Sequence, residues 1–189
     1  MRALAGGLLP HWVIGDMDSL SSEERAELES HGCRFYIHPR DKDETDLELA
    51  LTYAVEQGVK EILILGALGG RLDHGLANVL LLALPALKGL RVRIVDGDQQ
   101  ALLLRSGEAL TLSGKPGDIV SLLPLGGEVR GVSTIGLAWR LAGGRLRFGF
   151  SRGVSNEMTA TEACIQIEDG FLLVIHGPGG NGAGRDVDG

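Results

Sequence analysis

The sequence predicts two architectures in tandem, an α/β part with a mostly parallel sheet and then a small all-β sandwich. Strand-length apolar runs alternate with stretches of helical period up to about residue 100. One of those runs, Glu61-Ile62-Leu63-Ile64-Leu65, is continuously apolar after its first residue, the pattern of a parallel strand covered on both faces. From Ala101 the helical period stops, and short apolar runs broken by glycine take over. The expected boundaries are 1–100 for the α/β part, 101–176 for the β part and 177–189 for a glycine-rich tail. That tail has almost no apolar side chains and is expected to be disordered.

Taken in order, Arg2 to Leu9 reads as the last turns of a helix, stopped by Gly6-Gly7 and Pro10. A domain seldom opens on such an element, so a further one is expected upstream of Met1. His11 to Ile14 is the first strand. Ser21-Ser22-Glu23-Glu24 starts a helix, with a serine cap and acids in the first turn, which ends near His31-Gly32. Arg34 to Ile37 is a short strand closed by His38-Pro39. The loop Arg40 to Glu44 leads to Thr45 and a helix reaching about Gln57, whose apolar face is Leu47, Leu49, Ala50, Leu51, Ala54 and Val55. Glu61 to Leu65 is the next strand, Gly66 to Gly70 its flexible exit, Leu72 to Leu84 a helix and Val92 to Asp96 a strand. In the β part the strand-like runs are 101–104, 109–112, 119–124, 129–131, 145–150, 163–167 and 171–176. Gly143-Gly144 and Asp169-Gly170 read as hairpin turns, and Trp139 reads as core.

Composition narrows the function. The 189 residues carry a net charge of −7, with no Lys/Arg run, which argues against a nucleic-acid partner. Cys33 and Cys164 lie far apart without metal spacing and read as reduced, buried thiols. The most apolar run, Val79 to Leu87, contains Pro85 and is too short to cross a bilayer, so a cytoplasmic chain with no membrane partner is expected.

Three segments carry chemistry. Gly15-Asp16-Met17-Asp18-Ser19 places two carboxylates at a strand exit, where they repel each other unless a cation lies between them. Such a pair suits Mg²⁺, although Asp18-Ser19 would also serve as a plain helix cap. Asp41-Lys42-Asp43-Glu44-Thr45-Asp46 puts charges at a helix entrance, where anions and metal-bound phosphates gather; its bland reading is a solvated turn. In Gly66-Ala67-Leu68-Gly69-Gly70-Arg71-Leu72-Asp73-His74 the glycines let backbone N–H groups approach phosphate, and Arg71 adds a fork of donors. The bland alternative is an Arg–Asp surface pair. Because three successive strands feed these loops, they are expected along one edge of one sheet as a Mg²⁺–polyphosphate site.

In this order the segments resemble thiamine pyrophosphokinases, whose pattern is GD-[FM]-DS, then D-[KQ]-D-x-TD, then G-x-x-GGR-x-DH. Thr134-Ile135-Gly136-Leu137-Ala138-Trp139-Arg140-Leu141 is similar to that family's T-x-GL-x-W-x-L stretch, and Gly153-Val154-Ser155-Asn156-Glu157 to its G-x-SNE stretch. The resemblance spans residues 1 to about 176. It implies a Rossmann-like ATP-binding domain, a β-sandwich domain that binds thiamine and dimerises, and a homodimer. The implied reaction moves pyrophosphate from ATP to the hydroxyl of thiamine, giving thiamine diphosphate and AMP. Asp16, Asp18 and Asp46 are implied as metal ligands and, with Arg71 and Asp73, as catalytic residues. Asp43, Thr45, Gly69, Gly70 and His74 are implied on the ATP side, and Ser155 and Asn156 on the thiamine side. Asp46 or Asp73 is the expected proton acceptor. The family's opening strand and acidic-glycine turn have no counterpart here and are expected upstream of Met1. A Mg²⁺ phosphohydrolase built on Asp16 and a non-catalytic thiamine or nucleotide binder are the alternative readings.

Overall fold

The computed structural model describes residues 7–39 and 41–179, so most of the expected opening helix and most of the tail fall outside the described residues, and Gly7 to Leu9 are not helical. The chain divides into two compact units after Val59.

In the first unit, β1 (Trp12–Gly15) pairs in parallel with β2 (Arg34–Ile37), Trp12 opposite Arg34 and Gly15 opposite Ile37. They are joined by α1 (Ser22–Ser30), which starts on a reciprocal cap. The Ser21 hydroxyl accepts from the Glu24 N–H at 3.2 Å, and the Glu24 carboxylate accepts from the Ser21 N–H at 2.9 Å. Two of the helix's orphan donors are thereby satisfied. α2 (Asp46–Glu56) is capped by Thr45, and its Tyr53 ring lies 5.0 Å from that of Trp12 on β1. Leu28 and Leu51 are the buried anchors of the two helices.

The second unit holds two sheets. The larger has the order β10-β7-β12-β5-β4-β3, with β3 (Glu61–Leu65), β4 (Arg91–Asp96), β5 (Gln99–Arg105), β7 (Ile119–Pro124), β10 (Asn156–Glu157) and β12 (Phe171–Gly177). Only β3–β4 is a parallel pair in it. The smaller is antiparallel, order β6-β11-β8-β9, with β6 (Ala109–Ser113), β8 (Val129–Ile135), β9 (Gly144–Leu146) and β11 (Glu162–Gln166). Side chains of both sheets share one core: Leu104, Val120, Leu122, Leu172 and Val174 meet Leu112, Val129, Val132, Leu146 and Ile165. That is the expected sandwich.

The chain passes from β4 to β5 through Asp96–Gln99 without leaving the sheet, so the change of texture near residue 100 marks a tight turn within one sheet. Asp169-Gly170 is not a hairpin either. It carries the chain from β11 in the small sheet to β12 in the large one. The expected Leu72–Leu84 helix is α3 (Leu72–Leu80) followed by the short 3₁₀ turns Leu81–Ala83 and Pro85–Leu87, because Pro85 cannot continue a helix. On β3, Ile64 is buried while Leu63 and Leu65 are exposed. The strand is an edge strand covered on one face by this unit, not on both.

His176 fits a structural reading. Its ring is buried, with Nδ1 3.1 Å from the Gln100 amide and Nε2 3.3 Å from Asp118 Oδ2. Both ring nitrogens are engaged, so none is left for proton transfer to a substrate.

Candidate active site

In the first unit the acidic residues meet at the carboxyl end of β1. Gly15 has φ 147°, and a Cβ there would lie 2.8 Å from both Cγ and Oδ2 of Asp46. The start of α2 thus delivers the Asp46 carboxylate to the backbone immediately before Asp16, and only glycine leaves room for it. Between the two strand-exit aspartates, Met17 holds φ 63°, a left-handed conformation that costs about 1 kcal/mol for a residue with a Cβ. The turn is closed by the Asp18 N–H donating to Asp16 Oδ1 at 3.1 Å. Lys42, largely buried, donates from Nζ to Asp46 Oδ1 at 2.5 Å. Asp43 and Thr45 are exposed just before the helix, where Thr45 accepts from the Glu48 N–H at 3.3 Å. The two acidic loops are therefore brought together as expected. Among the described residues, however, no group of three or more His, Cys, Asp or Glu side chains is gathered closely enough to bind a metal ion.

The glycine loop leaves β3 in the other unit, so the three loops leave two sheets and not one. Gly66, Gly69 and Gly70 all hold positive φ, and Asn78 of α3 pins the loop by donating to the Ala67 carbonyl at 2.8 Å. Arg71 occupies the N-cap position of α3 without capping it. Its guanidinium forks onto Asp73, Nε to Oδ1 at 3.1 Å and Nη2 to Oδ2 at 2.5 Å. The His74 N–H also donates to Asp73, at 3.0 Å. The Arg71 hydrogen bonds, first among the causes, hold the Asp73 carboxyl below the usual carboxylate range. Both expected proton acceptors are therefore ion-paired, Asp73 with Arg71 and Asp46 with Lys42. All of Arg71, Asp73 and His74 is exposed.

In the β part, Ser155 is the other non-glycine residue with positive φ among the described residues, at 59°, and its N–H donates to the Ser121 hydroxyl at 3.0 Å. Both left-handed non-glycine residues thus fall in the segments singled out from the sequence. Asn156 is buried, and its amide is used entirely on backbone. Oδ1 accepts from the N–H groups of Trp139 at 3.0 Å and Glu157 at 2.9 Å, and Nδ2 donates to the Trp139 carbonyl at 2.8 Å. Asn156 therefore holds Trp139 on both sides. Trp139 itself is not core: its residue is 62% exposed, because it lies in the 136–143 connection between β8 and β9 instead of on a strand. Beside it lies a cavity of about 360 Å³, walled by Trp139, Leu141, Gly153 and Asn156 among others, within the range of small-molecule sites. Sequence reading missed this platform. The signal available was a tryptophan in a glycine-flanked segment containing arginines, where burial is hard to arrange.

Comparison with known proteins bears on the whole chain. The family profile described as "Thiamin pyrophosphokinase, catalytic domain" matches residues 2–94, and "Thiamin pyrophosphokinase, vitamin B1 binding domain" matches residues 109–172. The thiamine pyrophosphokinase of Bacillus subtilis is 27% identical over 172 residues, covering 91% of this chain and 80% of that protein. Thiamine pyrophosphokinase 2 of Arabidopsis thaliana is 30% identical over 175 residues, covering 88% of this chain and 65% of that protein. The crystal structure of the Bacillus subtilis protein superimposes with a TM-score of 0.82 at 26% identity, covering 93% of this chain and 82% of that one. The Geobacillus thermodenitrificans thiamin pyrophosphokinase gives 0.81 at 27% identity, covering 96% and 83%. With both domain profiles of one family matched in order and solved relatives of the same fold, the chain belongs to the thiamin pyrophosphokinase family.

Proposed function

We propose that the chain carries out the reaction of its family, the ATP-dependent transfer of pyrophosphate to the hydroxyl of thiamine, and that the residues described above divide its labour. The chain is an enzyme, a pyrophosphotransferase. The observation that carries the assignment of roles is the packing of the Asp46 carboxylate onto Gly15, which unites two acidic loops at one strand end. Attack of an alcohol on the β-phosphorus of ATP needs alignment and charge neutralisation more than covalent help. Asp16, Asp18 and Asp46 supply an all-oxygen donor set, the kind that suits a hard divalent cation held by one or two carboxylates. Mg²⁺ bound there would neutralise phosphate charge. The residues' own tasks are separate. Lys42 fixes the Asp46 carboxylate, and Asp46 or Asp73 accepts the hydroxyl proton. Asp43 and Thr45 hold the nucleotide side of that loop. Gly69, Gly70, Arg71 and His74 offer phosphate donors at the start of α3, where Asp73 keeps the Arg71 fork oriented until phosphate competes for it.

In the β part, taken as residues 101–176 after an α/β part of residues 1–100, Trp139 presents a flat apolar face for thiamine. Asn156 positions Trp139 at the wall of the cavity, and Ser155, the residue before it, is assigned to the thiamine side with it. The family resemblance supports a cytoplasmic homodimer. No helix among the described residues is long and apolar enough to cross a membrane. Asp16→Asn tests the assignment: AMP formation from ATP and thiamine should fall by at least about a hundredfold with the far-UV circular dichroism unchanged. Unaltered turnover would remove Asp16 from the site.

A further inference from the structure

The cavity beside Trp139 is lined by two arginines and by no acid. Overall the protein carries a charge of −7, yet residues 139–156 contain Arg140, Arg145, Arg147 and Arg152 and no acid. Two of these are compensated. Arg145 and Arg147 act on Glu128 and lower its carboxyl, after the larger effect of Arg130, and the Arg147 guanidinium lies 4.3 Å from the Phe150 ring centroid. Arg140 and Arg152 are exposed, line the cavity with Trp139, and have no ion pair among the described residues. Gly153, next to Arg152, is locked against β7. The Leu122 N–H donates to its carbonyl at 2.8 Å, and a Cβ there would lie 2.1 Å from the Leu122 carbonyl oxygen. Arg152 is thus attached to a fixed backbone, as Arg140 is through the neighbouring Trp139 and its Asn156 bonds.

Two uncompensated guanidinium groups are a poor setting for thiamine, whose thiazolium is a cation. They suit its diphosphate, which adds anionic oxygens to the same flat rings. We propose that Arg140 and Arg152 form a diphosphate subsite beside Trp139, so that the pocket holds thiamine diphosphate in preference to thiamine. This rests on the reading that the β part binds thiamine. It makes the pocket selective for product over substrate, so product departure slows turnover and accumulated thiamine diphosphate competes with thiamine.

The test is calorimetric titration of the full chain with thiamine, thiamine diphosphate, ATP and inorganic pyrophosphate, repeated on Arg140→Ala/Arg152→Ala. Both arginines are exposed, and circular dichroism checks that the variant is folded. The parent should bind thiamine diphosphate at least about tenfold tighter than thiamine, and the gap should close to within about twofold in the double variant. Arg140→Lys/Arg152→Lys should keep part of it. A parent that binds both equally, or a double variant that keeps the gap, overturns the subsite. If the substitutions weaken ATP as much as thiamine diphosphate, the arginines hold nucleotide phosphates and the product assignment is wrong. If the chain forms AMP from ATP and thiamine without preferring the product, the subsite alone fails. If it neither binds nor turns over thiamine, the functional reading fails with it.

Discussion

Replacing Asn156 with alanine is the sharpest probe of how the β part builds its platform. The substitution deletes three hydrogen bonds, two accepted by Oδ1 and one donated by Nδ2, all to backbone groups of Trp139 and Glu157. A typical bond contributes about 1 kcal/mol net, and a buried group left without a partner costs about 1–3 kcal/mol. Because the 136–143 connection lies at the surface, water can reach part of what is exposed, so the expected loss is about 2–4 kcal/mol. Asn156→Asp should be at least as harmful. It keeps the two accepted bonds but sets a carboxylate oxygen against the Trp139 carbonyl and buries a charge. Urea unfolding gives the stability change from the midpoint at constant slope. The chain has two tryptophans, so a Trp12→Phe background isolates the emission of Trp139. In that background Asn156→Ala should shift the emission and raise the KM for thiamine more than it lowers kcat. A loss below about 0.5 kcal/mol with unchanged emission would refute the clamp.

Three further outcomes follow from the same geometry. Gly15→Ala places a methyl against the Asp46 carboxyl carbon, so kcat/KM should fall by at least about tenfold while circular dichroism stays native; unaltered kinetics would dissociate Asp46 from the site. Gly153→Ala meets the Leu122 carbonyl, which cannot yield without breaking β7, and should cost about 3 kcal/mol in urea unfolding. Asp118 is held below the ordinary carboxylate range, chiefly by the backbone hydrogen bond from Lys115. Its folded value is depressed, so its stabilisation is present above the unfolded value of about 3.9 and is lost as pH falls through the lower folded value. Asp118→Asn should flatten that acid limb, and an identical limb in the variant would contradict it.

Much of this was legible in the sequence because local chemistry sets it. The capped helices at Ser21 and Thr45, the apolar strands and the acidic strand exit follow from spacing and residue type. What was hidden is tertiary. The contact of Asp46 with Gly15 joins residues far apart in sequence, and no pattern around either announces it. Trp139 was misjudged because indole area predicts burial on average, while here a buried asparagine fixes the backbone and leaves the ring outside. The two-residue strand β10, which carries Asn156, is too short to leave a period. Asp169-Gly170 has the chemistry of a turn but joins two different sheets, since turn chemistry does not say which sheet the next strand enters.

The proposed reaction is the transfer of a whole pyrophosphoryl group. Quantifying all products formed by the purified chain from ATP, Mg²⁺ and thiamine tests it most directly. AMP and thiamine diphosphate should form in equal amounts, with neither appearing when thiamine is omitted. ADP with thiamine monophosphate, or phosphate released from ATP without thiamine, would contradict it.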